Sequence, residues 1–162
     1  MIAVLEFLSI SLTAVAMGLA LAHALEFPGK LRLNREEYFT VQAIYYPGFT
    51  LGGAAEPLAI VALAALLLEV PLGTNGRRLI GLALIAAVAT QVLFWTVVQP
   101  VNRHWLKSIS LGAAGERFFN AGAAATETDW TTLRDRWERG HIGRTLTATA
   151  AFALTALALI VR

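Results

Sequence analysis

Four apolar stretches, each about long enough to cross a bilayer, leave this chain little choice of fold. They occupy residues 2–24, 47–70, 79–99 and 145–161. A hydrocarbon core of roughly 30 Å takes about 20 helical residues at about 1.5 Å each. Backbone groups in lipid must be satisfied within the protein, so such segments fold as helices. A hydrophobic fraction of 57%, with 15% charged residues and a mean hydropathy of +0.62, agrees. The sequence predicts an all-α, multi-pass membrane protein. Its 162 residues form one integral domain, a four-helix bundle with interfacial helices in the longer connections.

Positive charge sets the expected sidedness. Of the 13 Lys and Arg residues, only Arg77, Arg78 and Arg162 fall on the side shared by the termini. The other ten lie in or beside the two longer connections. Because basic loops stay in the cytoplasm, both termini are expected outside an inner cell membrane. The first stretch carries Glu6 and lacks a basic leader, unlike a cleaved signal. A pI near 9.4 then reflects a basic cytoplasmic rim facing anionic lipid, with the bilayer rather than nucleic acid as partner. The absence of Cys excludes disulfides, thiolate nucleophiles and Cys-based metal centres. A homo-oligomer is compatible with all of this.

Local signals refine the layout. Pro28 and Gly29 predict that the first helix stops near Phe27, and Pro100 that the third stops near Gln99. Asn34 is a candidate N-cap for an interfacial segment that places Tyr38, Tyr45 and Tyr46 at headgroup level. Residues 103–128 read as short interfacial helices and a candidate lid. Thr128 or Asp129 caps a helix that runs into the last span, weakened at Gly140 and Gly143. Glu56 precedes Pro57, and a residue before proline is pushed from α geometry. A helix starting at Pro57 is too short to cross, so a broken helix is expected there, with a carboxyl group beside it.

The polar groups collect at one depth. His23 and Glu26 close the first span, Glu56 lies within the second, and Gln99, Asn102, Arg103 and His104 end the third. Glu138, His141 and Arg144 lead into the fourth. Ionisable groups at membrane depth are costly and usually face a bundle interior, so one shared site is the economical reading. Arg134, Glu138, His141, Thr145 and Thr149 form a polar helical stripe. Taken singly, His23, Glu26 and His104 also fit interfacial residues reaching for water, and Glu138 fits an ion pair with Arg134 or Arg144. Glu-x-x-His spacing occurs in di-metal bundles. His23, Glu26, Glu56, Glu138 and His141 are therefore a candidate ligand set for a di-metal or iron site, although the first pair has the reverse order. Two histidines at one membrane end also suggest haem ligands.

The segments HALEFPGKLRL (23–33), QAIYYPGF (42–49), QPVNRHWL (99–106) and LRDRWERGHIGRTL (133–146) together resemble the anthrone-oxygenase-like family of small four-span membrane proteins. The most typical motifs are Asn102-Arg103 and the Trp-x-x-x-His-x-x-Arg of Trp137, His141 and Arg144. The resemblance implies a membrane-embedded, oxygenase-like oxidoreductase acting on an apolar aromatic molecule, anthrone- or quinol-like, with O₂. In a cofactor-free version, His141 or His23 is the base, Arg103 and Arg144 with Asn102 hold an oxyanion, and Trp95 and Trp137 flank the rings. Glu56 joins that catalytic set, and Gln99 the substrate wall. Arg144 and His141 are expected at a wet edge, where truncation costs little packing. The alternative is a non-enzymatic protein that binds a lipid, quinone, haem or metal, or serves a partner complex.

Overall fold

The computed structural model describes residues 1–105 and 129–161, and every regular element among them is helical. In chain order these are α1 (Ile2–Lys30), α2 (Arg35–Ile44), α3 (Gly48–Gly52), α4 (Ala55–Glu69) and α5 (Asn75–Leu93). A π-helical turn (Phe94–Val98), α6 (Gln99–Trp105) and α7 (Trp130–Ile160) follow. Four helical segments are long and apolar enough to cross a membrane: Ile2–Lys30, Gly48–Glu69, Asn75–Trp105 and Trp130–Ile160. The expected lid and the Thr128 cap lie outside the described residues. The alternative cap is present, since Asp129 accepts a hydrogen bond from the Thr131 amide at 3.3 Å.

The spanning helices close a ring in which α1 packs on α4 and α7, and α5 packs on the same two. Hydrophobic burial gives helices little reason to associate in lipid, so close approach of small residues does the work. Ala59, Ala62, Ala83, Ala87, Ala148 and Ala151 are buried accordingly. Hydroxyl bonds add to this: Thr90 and Thr147 meet at 2.8 Å between α5 and α7, and Thr145 donates to the Ala20 carbonyl at 2.7 Å. Phe7, Val61, Ile85 and Leu146 face outward, one per spanning helix, as lipid contacts require.

Both expected proline stops are passed. α1 continues through Pro28 to Lys30, whose buried ammonium lies 3.3 Å from Glu26 and 3.5 Å from Glu138 and ties down the last turn. Around Pro100 the ladder adapts instead of ending. The Gln99 amide reaches back five residues to Phe94, which makes the π turn. Pro100 has no N–H to offer the Thr96 carbonyl, and the Arg136 guanidinium donates to that carbonyl at 3.1 Å.

The expected break in the second span is present, displaced to Gly53–Ala54. Pro57 then sits in the first turn of α4, where an amide has no helical partner anyway. α7 runs unbroken through Gly140 and Gly143. A Cβ at Gly140 would come within 2.8 Å of Val98 Cγ2 and 3.0 Å of Val97 Cγ1, so this glycine lets α7 approach the π turn closely. The Asn34 cap is confirmed, with Glu37 completing a capping box. Tyr38 is fully buried against Val98, Val101, Trp105 and Trp137, and its hydroxyl donates to Glu138 at 2.9 Å.

Candidate functional site

Where α1 and the third span finish and α4 and α7 begin, the bundle holds an open-sided cavity of about 320 Å³. The break before α4 and the π turn after α5 both border it, through Gly53 and Ala54 on one side and Phe94, Trp95 and Val98 on the other. π turns inside helices are frequent at functional sites. Of the residues expected at a shared site, His23, Glu56, Trp95, Asn102, Trp137, His141 and Arg144 line this cavity. Gln99 and Arg103 do not. Gln99 is buried and accepts from Asn102 Nδ2 at 3.3 Å, so it positions a lining residue. The Arg103 Nε is buried without a hydrogen-bond partner among the described residues and lies away from the lining, one residue too far round α6.

Arg144 is the centre of the charged wall. Its guanidinium forms a hydrogen-bonded ion pair with Glu56 across the bundle. It also lies 3.2 Å from His141 Nδ1 and 5.1 Å from the centre of the Phe94 ring. A guanidinium only donates, so this contact makes Nδ1 of His141 the acceptor and leaves Nε2 to carry the ring proton. Arg144 and Glu56 are 7% and 4% exposed, which overturns the expected wet edge: their heads meet inside the bundle rather than at its rim.

The second wall is aromatic. The His23 ring lies 4.1 Å from that of His141 and 4.6 Å from both Tyr45 and Phe49, measured between ring centres. Trp137 stacks 6.2 Å from Tyr45 with its plane nearly parallel, and its indole N–H donates to Asn102 Oδ1 at 2.7 Å. That bond and the Asn102–Gln99 contact fix the plane of the indole. Nδ1 of His23 has no hydrogen-bond partner among the described residues and stands 3.9 Å from Glu26 Oε2. Trp95 also lines the cavity while 53% exposed, so it marks the opening toward the bundle surface.

Glu26 and Glu138 stand behind the cavity. Glu138 is held by Tyr38 and Lys30, not by Arg134, which pairs with Asp135 at 2.8 Å. Glu26 accepts from Tyr45 and faces Lys30. Burial first, then the adjoining carboxylate, pushes the pKa of both phenols well above the ordinary range, so Tyr38 and Tyr45 remain donors. The expected polar stripe of α7 turns with the helix: Trp137, Glu138, His141, Arg144 and Ala148 face inward, while Thr149 is exposed.

The expected metal set is therefore divided among separate cations and donors. Among the described residues no three His, Asp or Glu side chains converge as a metal centre requires. A haem held between the two histidines does not fit either, because rings in contact leave no space for a macrocycle.

The lining residues that sequence reasoning missed include Gln42, Tyr45 and Tyr46 as cavity walls, with Phe49 and Trp105. The first four share a helical spacing within residues 42–49, a signal masked by reading the tyrosines as interfacial anchors.

The family described as anthrone oxygenase matches this chain over residues 42–154. No curated protein and no solved structure matches it.

Proposed function

As the chain belongs to the anthrone oxygenase family and has four candidate membrane spans, we propose that it is an oxygenase-like oxidoreductase. Its substrate is a flat, anthrone- or quinol-like aromatic molecule bound in the cavity. The observation that carries this reading is the composition of one cavity: aromatic walls, two imidazoles and a buried guanidinium. Small-molecule cavities span roughly 300–1,000 Å³, and 320 Å³ suits a compact fused-ring ligand.

The chemistry follows from the carbon acidity of an anthrone. A base removes a proton from the methylene opposite the carbonyl, and the carbonyl oxygen takes up the negative charge. His23 is that base, and Arg144 faces the oxyanion, with His141 held by the same guanidinium. The enolate gives electrons to O₂ and forms a C–O bond, and the peroxide takes back the first proton. Loss of the second methylene proton cleaves the O–O bond, and the departing hydroxide is protonated to water. Anthrone and O₂ thus become anthraquinone and water, with atoms and electrons balanced. Trp137 and Phe49 hold the rings, and the apolar walls exclude water while the carbanion exists.

Purified protein in lipid nanodiscs, given anthrone, is expected to consume one O₂ per anthraquinone formed, above the spontaneous rate. Saturable binding of anthrone without accelerated O₂ uptake would favour the binding-protein alternative.

Among the described residues, the cavity end of the bundle also carries Lys30, Arg32, Arg35, Arg103, Arg134, Arg136, Arg139 and Arg144. We place that end at the cytoplasmic face of the inner membrane, both termini outside. Reporter fusions after Arg162 and within residues 71–78 are expected to score as external. A cytoplasmic score for both would reverse the orientation and leave the cavity unchanged.

A further inference from the structure

Two buried donors on the cavity wall have no role in the chemistry above. Gln42 is 4% exposed and Trp105 2% exposed, and both line the cavity. Among the described residues, the Gln42 amide nitrogen and the Trp105 indole nitrogen are each buried without a hydrogen-bond partner. Buried polar groups are rarely left so, since an unmade hydrogen bond forfeits the full desolvation of the donor.

The two belong to one wall. Tyr38 and Phe39 of α2 meet the Trp105 ring edge-on at 5.5 and 5.1 Å. Gln42 follows them by one helical turn on the same element, so it stands on the face that α2 turns to Trp105. The aromatic contacts hold the indole in place, and its N–H cannot swing away to find a partner. Only an acceptor satisfies these groups, because an indole nitrogen donates and accepts nothing.

The charged wall lies at another level. Arg144 follows Trp137 by two turns of α7, roughly 10 Å at 1.5 Å per residue. Trp137 in turn is hydrogen-bonded to Asn102, one turn before Trp105 on α6. The Arg144 Nε is likewise buried and without a hydrogen-bond partner among the described residues. The cavity therefore presents donors at two levels with aromatic side chains between them.

We infer that Gln42 and Trp105 form a second polar subsite that receives an oxygen acceptor on the substrate edge remote from Arg144. The substrate class is then an aromatic ketone or quinol bearing oxygen at both ends, not a hydrocarbon-like ring system with one carbonyl. This rests on the aromatic-substrate reading above, while its test is a binding measurement that needs no turnover.

The probes are anthrone and a hydroxyanthrone whose hydroxyl lies on an outer ring, titrated calorimetrically into the full chain in nanodiscs. Wild type is expected to bind the hydroxyanthrone about tenfold more tightly, the scale of one hydrogen bond to a buried donor. Trp105→Phe keeps the ring and removes the donor, and Gln42→Leu keeps most of the volume. Each is expected to erase most of the preference, read as the ratio of the two affinities within the same variant. A preference that survives in both variants overturns the subsite. Wild type that shows the preference, and variants that lose it, without any O₂ consumption would retain the subsite and remove the oxygenase reading. Accelerated O₂ consumption with no difference between the probes would do the reverse.

Discussion

Replacing either Glu56 or Arg144 with Leu is expected to destabilise the bundle severely, while replacing both restores it. The two heads meet inside the ring of helices, almost without exposure. Removing one partner leaves the other charge almost fully buried and without its counter-ion, which costs roughly 3–5 kcal/mol. Leu at both positions removes the uncompensated charge, and such exchanges are often neutral or stabilising. Denaturant or thermal unfolding in detergent, followed by size exclusion, separates the three variants. Turnover is expected to be lost in all of them, because the cation facing the oxyanion is gone or the fold is compromised. The double variant is thus the informative one: folded and inactive. Single variants as stable as wild type would show that the pair carries no structural load, and an active double variant would take Arg144 out of the chemistry.

That pair also marks how far the sequence could be read. Depth along each span is legible to within about two helical turns, because apolar length and the 1.5 Å rise place Glu56, Asn102, His141 and Arg144 toward the same end of the bundle without any knowledge of rotation about the helix axes. Seven of the anticipated residues accordingly meet in one cavity. Rotation is less legible. Arg103 neighbours Asn102 in sequence yet turns away, and Thr149 drops off the face that Thr145 begins. Partner choice across helices is not legible at all. Lys30 counted as one more basic residue of a cytoplasmic loop, whereas it is buried between Glu26 and Glu138 and takes both from the expected metal set. The proline stops failed for a related reason. The orphaned Thr96 carbonyl is met by Arg136, forty residues away, and no local rule anticipates that donor. The membrane fold itself needed none of this detail, since backbone satisfaction in lipid permits few alternatives.

The two histidines divide the labour unequally, and this gives the last expected result. His141 already receives a hydrogen bond on Nδ1 from Arg144, which fixes its ring and its tautomer. His23 has no such tether: its Nδ1 is unpartnered, and the Glu26 carboxylate stands 3.9 Å away, placed to balance an imidazolium once a proton arrives. A ring that can gain a proton beside a counter-charge is the better base than one already fixed against a guanidinium. His23→Phe keeps the aromatic contacts with Tyr45, Phe49 and Trp137 while deleting the base. It is expected to fold normally and to lose roughly 10²–10⁴-fold in turnover, the usual worth of a positioned general base. His141→Phe is expected to weaken the fold as well, because it leaves a guanidinium N–H of Arg144 without its acceptor. Steady-state O₂ uptake and unfolding of both variants, measured side by side, test the division. Full turnover in His23→Phe together with a folded, inactive His141→Phe would reverse the roles, since the proton must then leave through the ring that Arg144 holds.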